Sequence, residues 1–161
     1  MNPCGVIFDR DGTLVFDVPY NGDPQAVVPV PGMQKALAEL RSASIPIAVV
    51  SNQSGVGRGM ITLEQVEAVN RRVEELLGPF DAVLFCPHSP DVDCECRKPK
   101  PKLIVDAARA MGVDPACCVV IGDKPSDVEA AANAGARSIF VDSAYTAVDA
   151  VNAVLRNRPS S

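Results

Sequence analysis

Gly5-Val6-Ile7-Phe8-Asp9-Arg10-Asp11-Gly12-Thr13 passes from an unbroken apolar run to two carboxylates two residues apart, then to a glycine. The run, opened by Cys4, reads as a short strand over residues 4–8 that ends at Asp9. Gly12 permits a sharp exit from it. Four more apolar runs read the same way, over residues 46–50, 82–85, 119–121 and 138–141.

Helical patterns lie between these strands. Met33, Ala36, Leu37 and Leu40 form one apolar stripe; Leu63, Val66, Val69, Val73 and Leu76 form another, opened by the capping box Thr62 to Gln65. A third helix starts near Pro101, carries Leu103, Ile104, Ala107, Ala108 and Met111, and stops at Gly112. A fourth runs from Pro125 to Gly135, and a last one over residues 146–155 packs Val148, Val151 and Val154 or Leu155. Strand and helix alternate, which predicts parallel strands covered by helices on both faces. The expectation is a single doubly wound, Rossmann-like α/β domain over residues 1–156, with a central parallel sheet of about five strands and a tail at 157–161.

Two stretches break the alternation, residues 17–31, rich in Pro, Gly and Val, and residues 86–101, rich in Cys, Pro and Lys. Loops of that length in a compact domain are usually functional. Ligands of open α/β sheets bind beyond the carboxyl ends of the strands, so Asp9, Ser51, Cys86, Gly122 and Asp142 are the strand exits that matter.

The chain has 161 residues, enough for one domain with a core of its own, and 47% hydrophobic with 22% charged residues is an ordinary globular composition. A net charge of −5 argues against a protein that grips nucleic acid, which needs clustered Lys and Arg. The apolar runs are too short and interrupted to span a membrane, and the first strand begins too close to Met1 for a signal peptide. A cytoplasmic monomer acting on a small molecule is the resulting expectation.

Two carboxylates leaving one strand end can divide labour in phosphoryl transfer. Asp9 can attack phosphorus, while Asp11 protonates the leaving oxygen and later deprotonates a water. A dianionic phosphate facing carboxylates requires cations, and magnesium prefers a few carboxylates plus water and substrate oxygens. Asp123, after the fourth strand in Gly122-Asp123-Lys124-Pro125-Ser126-Asp127, supplies a third anchor; Asp127, one turn into the next helix, either reaches the metal through water or holds a lysine. Ser51-Asn52-Gln53-Ser54-Gly55 brings a hydroxyl and amide donors to the second strand exit, Lys98 a fixed positive charge, and Arg58 and Arg97 guanidinium forks for phosphate or a second anionic group.

Six cysteines in a reducing compartment read as thiols or metal ligands rather than disulfides. Cys4, Cys117 and Cys118 border strands and read as core. Cys86, His88, Cys94 and Cys96 make a complete tetrahedral set for a structural zinc within residues 86–96; the plainer alternative is a loop of free thiols. His88 is the only histidine, so a Ser-His or Cys-His hydrolase would have to spend it inside this cluster. The loop runs directly into Arg97-Lys98, so folding around the ion would fix those cations.

Singly, each motif has a bland structural reading. Together, Asp9-x-Asp11-Gly12-Thr13, Ser51-Asn52-Gln53-Ser54-Gly55, Lys98 and Gly122-Asp123 to Asp127 resemble the four signature motifs of haloacid dehalogenase-like hydrolases. No insertion large enough for a cap follows either of the first two strands, which is similar to the capless group. The resemblance implies that Asp9, the main-chain carbonyl of Asp11 and Asp123 bind magnesium, that Ser51 and Lys98 bind phosphate, and that Asn52, Arg58 and Arg97 face the substrate.

Within that superfamily, Cys86-Pro87-His88 followed by Cys94-x-Cys96-Arg97-Lys98-Pro99 resembles the branch of heptose 1,7-bisphosphate 7-phosphatases and histidinol-phosphatases. The run from Asn52 to Arg58-Gly59 is similar to the heptose enzymes and implies a sugar bisphosphate; the five-residue gap between His88 and Cys94 is similar to the histidinol enzymes. Histidinol phosphate or another phosphorylated metabolite is therefore the alternative substrate, and a non-catalytic zinc-containing interaction module the alternative class. Intact Asp9, Asp11, Lys98 and Asp123 speak against the latter.

Overall fold

The computed structural model describes residues 3–157, so the expected tail lies, from residue 158 onward, outside the described residues. Five strands, β1 (Gly5–Phe8), β2 (Ile47–Asn52), β3 (Ala82–Cys86), β4 (Cys118–Gly122) and β5 (Arg137–Phe140), form one sheet in the order β3-β2-β1-β4-β5. All four pairings are parallel. The chain works outward from β1 through β2 to β3, then returns to the other side of β1 for β4. The strand order therefore reverses at β1 and β4, and a crevice opens beyond their carboxyl ends.

Four helices connect the strands, α1 (Met33–Ser42), α2 (Leu63–Leu77), α3 (Lys102–Met111) and α4 (Pro125–Ala134), and α5 (Ala147–Arg156) follows β5. Alternate side chains of β1 decide which helices cover which face. Val6 and Phe8 join Leu37 and Leu40 of α1, Val69 and Val73 of α2 and Val151 of α5 in one core, while Ile7 joins Ile104 of α3 and Ala130 and Ala131 of α4 in the other. Because both faces are covered, the central strands read as continuous apolar runs rather than alternating ones. Truncating a fully buried residue such as Leu37 or Leu40 to alanine costs about 2–5 kcal/mol.

The expected elements all appear, with ends displaced by a residue or two. The capping box is formed, Gln65 N donating to Thr62 Oγ1 at 3.1 Å and Thr62 N to Gln65 Oε1 at 2.9 Å. Residues 17–31 are not featureless: a 3-10 turn covers Pro24–Ala26, and Phe16 N donates to Val28 O at 2.9 Å. Among the described residues no helix is long and apolar enough to cross a membrane.

One cysteine expectation is corrected. Cys4 and Cys117, read as core thiols, are disulfide-bonded with a Cα–Cα distance of 5.3 Å. The cause is β1–β4 pairing: Gly5 sits opposite Cys118, which brings the two preceding residues together although 113 positions separate them. Cys118 remains a buried thiol.

Candidate active site

Asp9 follows β1 directly, its N–H donating to Ile121 O of β4 at 3.0 Å, so the sheet ladder itself aims the residue into the crevice. The chain then folds into a tight loop, with Leu14 N and Val15 N both turned back onto Arg10 O. Gly12 has φ +80°, and a Cβ there would stand 2.2 Å from Asp123 Oδ2. Only glycine lets the first loop pass this close to the carboxylate that follows β4. Gly122 meets the same requirement against Asp127, where an added Cβ would stand 2.3 Å from Oδ2.

Lys98 is the electrostatic centre. It is 3% exposed, and its Nζ donates to Asp9 Oδ1 at 3.0 Å, Asp127 Oδ1 at 2.6 Å and Val50 O at 3.1 Å. All three ammonium donors are thus used, which a buried charge requires. Burial alone would lower the lysine, but the Asp9 and Asp127 carboxylates outweigh it and hold it above its usual range. For Asp9 burial works upward, and the Lys98 ammonium, followed by Lys124, more than offsets it; the carboxyl is held below the usual range and stays ionised. Asp9 Oδ2 is buried without a hydrogen-bond partner, with Lys124 Nζ standing off at 3.7 Å.

Asp123 lies beside this pair. Burial and then the neighbouring Asp9 push its carboxyl up to about 6. Oxygens of Asp9, Asp123 and Asp127 lie within 4.8 Å of one another. The unpartnered Oδ2 and this convergence of hard oxygen donors fit a magnesium-type cation. Thr13 Oγ1 donates to Asp123 Oδ1 at 3.3 Å and steadies it from the first loop.

Asp127, expected either near the metal or on a lysine, takes Lys98 on Oδ1 and the Lys124 N–H on Oδ2 at 3.1 Å, as a carboxylate suits the first turn of α4. Ser51 is buried, and its Oγ accepts from Gln53 Nε2 at 3.2 Å, leaving the hydroxyl proton free for an incoming oxygen. Asn52, expected on the substrate side, brackets Lys98: Nδ2 donates to Lys98 O at 3.2 Å and Oδ1 accepts from Lys98 N at 3.0 Å. Asn52 therefore positions the lysine. Arg97 carries a buried Nη1 with no hydrogen-bond partner, and Arg58 is exposed in the loop after β2, where its charge reaches Asp91.

The cysteine loop closes as its spacing suggests. Cys86 Sγ lies 3.4 Å from His88 Nδ1 and 3.7 Å from Cys94 Sγ, and Cys96 Sγ lies 3.3 Å from the same His88 nitrogen. A tetrahedron with metal–sulfur bonds of about 2.3 Å has edges of about 3.8 Å, so these separations fit a tetrahedral zinc-type ion. Burial, then Cys96, pushes the Cys86 thiol up to about 12, so its thiolate needs a cation to form. The loop is tied to the segment that follows β2 by Gln53 N donating to Cys86 O at 2.7 Å and Gly57 N to Pro87 O at 2.8 Å.

Three further residues enter the site that motif spacing left aside: Arg10, Asn70 and Lys124. Arg10 stood as the variable residue of Asp-x-Asp, and Lys124 was adjacent to a recognised aspartate. Asn70 had no local signal, because its relevance arises only when α2 packs beside the first loop.

A family model described as haloacid dehalogenase-like hydrolase matches residues 20–135. The D-glycero-beta-D-manno-heptose-1,7-bisphosphate 7-phosphatase of Pseudomonas putida is 36% identical over 141 residues, covering 84% of this chain and 81% of that protein. The protein of the same name from Rhodopseudomonas palustris is 38% identical over 138 residues, covering 79% and 77%. Among solved structures, D,D-heptose 1,7-bisphosphate phosphatase from B. bronchiseptica, complexed with magnesium and phosphate, superposes with a TM-score of 0.78 at 31% identity, covering 97% of this chain and 89% of that one. The fold, the ordered motifs and these similarities place the chain among the haloacid dehalogenase-like hydrolases, and it belongs to that family.

Proposed function

We propose that this chain is a magnesium-dependent phosphomonoester hydrolase working through an aspartyl-phosphate on Asp9, with D-glycero-D-manno-heptose 1,7-bisphosphate as substrate and its 7-phosphate as the group removed. The observation that carries the chemistry is the Asp9 carboxylate itself: buried, ionised, pinned through Oδ1 to Lys98 and unpartnered at Oδ2. The names of the similar proteins support the substrate.

An Asp9 oxygen attacks phosphorus, and the bond from phosphorus to the ester oxygen breaks. Asp11 gives its proton to the departing alkoxide. Asp11 then takes a proton from water as that water attacks the phosphoryl group; the phosphorus–Asp9 bond breaks and inorganic phosphate leaves. Lys98 and the Ser51 hydroxyl stabilise charge on the transferring oxygens. Asp9, the Asp11 carbonyl and Asp123 would hold magnesium, which would supply the positive charge that lets a dianion approach two carboxylates. Cys86, His88, Cys94 and Cys96 would hold zinc, which would keep Arg97 and Lys98 in place without taking part in the reaction.

Arg58 and Arg97 stand on the loops facing the substrate and suit its second phosphate. The acidic net charge of −5 favours a small metabolite over nucleic acid, and we take the enzyme as a cytoplasmic monomer. The test compares kcat/KM on heptose 1,7-bisphosphate, histidinol phosphate and simple phosphomonoesters in the same magnesium buffer. A clear preference for the heptose is expected. A preference for histidinol phosphate, whose enzymes share the His88 to Cys94 spacing, would overturn the substrate assignment while leaving the chemistry standing.

A further inference from the structure

Arg10 separates the two carboxylates of the first loop, yet it is 1% exposed and spends its whole guanidinium inside the protein. Nε and Nη2 donate to Asp11 Oδ1 and Oδ2, both at 3.0 Å, and Nη1 donates to Asn70 Oδ1 on α2 at 2.8 Å. Gln53 Nε2 adds a contact to Asp11 Oδ2 at 3.1 Å and also reaches Ser51 Oγ at 3.2 Å. One chain of hydrogen bonds thus runs from Asn70 through Arg10, Asp11 and Gln53 to Ser51.

We infer that Arg10, anchored by Asn70, is a positioning residue that fixes the plane and direction of the Asp11 carboxyl for proton delivery to the leaving oxygen. This rests on Asp11 as the acid–base group of the proposed hydrolysis. A two-bond fork sets both oxygens at once, which a single ammonium cannot do. Buried as it is, Arg10 acts on substrate only through Asp11. Proton transfer from a positioned side chain contributes about 10²–10⁴-fold, and a misplacement of about 1 Å can cost about 10²-fold, so loss of orientation alone is large enough to measure.

A purely structural ion pair would slow all esters alike, whereas lost proton delivery slows only those whose leaving group needs a proton. An alkyl phosphate expels a poor alkoxide; p-nitrophenyl phosphate expels a phenolate that departs unassisted. The experiment measures alcohol or phenol release in the first turnover by rapid quench, with enzyme in excess and magnesium saturating, for wild type, Arg10→Lys, Asn70→Ala and Asp11→Asn. Arg10→Lys is expected to slow the alkyl ester by about tenfold or more and p-nitrophenyl phosphate by less than about threefold, with substrate half-saturation unchanged. Asn70→Ala removes only the anchor, at a half-buried helical site where alanine is well tolerated, and is expected to shift the same ratio by a smaller factor. If Arg10→Lys fails to fold, Asn70→Ala decides alone. An unchanged alkyl-to-aryl ratio in the folded variants, with Asp11→Asn inactive on the alkyl ester, overturns the positioning role; an Asp11→Asn enzyme with full alkyl activity overturns the underlying reading instead.

Discussion

Lys98 Nζ sits 3.0 Å from Asp9 Oδ1 in a setting where both side chains are buried, although 89 residues separate them along the chain. The lysine reaches that point because the Asn52 amide fixes its main chain and Asp127 fixes its far side. The Asp9 carboxylate is therefore charged, oriented and left with one oxygen unpartnered.

Replacing Lys98 tests that arrangement through stability as well as rate. Lys98→Met leaves Asp9 and Asp127 as two buried carboxylates without their shared partner, and breaking one member of a buried ion network costs about 3–5 kcal/mol. Urea unfolding of the variant is expected to show a loss of that order, with turnover abolished. A variant of wild-type stability and rate would contradict the role assigned to Lys98.

The proposed role of Asp123 as a magnesium ligand predicts a requirement that depends on pH. Burial and the neighbouring Asp9 push its carboxyl up to about 6, so protons should compete with the cation below that pH and cease to compete above it. The magnesium concentration for half-maximal rate is expected to rise roughly tenfold for each unit of pH below 6 and to be flat above about 7. A magnesium requirement that does not change between these ranges would rule out Asp123 as a ligand.

Gly12→Ala tests the close passage of the first loop. The added methyl group would meet Asp123 Oδ2 at 2.2 Å, at φ +80°, a backbone region that costs an L-residue about 1–2 kcal/mol. Weaker magnesium activation and lower stability are expected together, measured by magnesium titration of the rate and by thermal unfolding. Retention of wild-type magnesium activation would show that Asp123 is free to move away.

Metal analysis of the purified protein is expected to find about one zinc per chain. Cys96→Ser is expected to lose zinc and activity together, and excess magnesium is not expected to restore the rate. Full activity in zinc-free protein would mean that the loop holds Lys98 without an ion.

Much of this was legible before the fold was known. The five strands show as apolar runs because both sheet faces are covered, and helix boundaries show at Thr62, Gly112, Pro125 and Gly135 because caps and turn residues carry local rules. Asp9, Lys98 and Asp123 were recognisable from strand-exit positions and motif order. What stayed hidden depends on packing between distant elements. The disulfide of Cys4 and Cys117 follows from β1–β4 adjacency, the bracketing of Lys98 by Asn52 from the approach of a loop to β2, and the Arg10–Asn70 contact from the seat of α2. Asp127 shows the middle case: its helical position was plain, but the choice between metal and lysine needed three-dimensional contact.

The most direct measurement is mass spectrometry of protein quenched in acid during turnover in magnesium, searching the peptide that contains Asp9 for one added phosphoryl group. Wild type is expected to carry the group on Asp9, as is Asp11→Asn given p-nitrophenyl phosphate, whose leaving group departs unassisted; Asp9→Asn, which keeps the side-chain volume, is expected to carry none and to be inactive. An Asp9→Asn enzyme with wild-type turnover, or a phosphoryl group on another residue, would contradict the account.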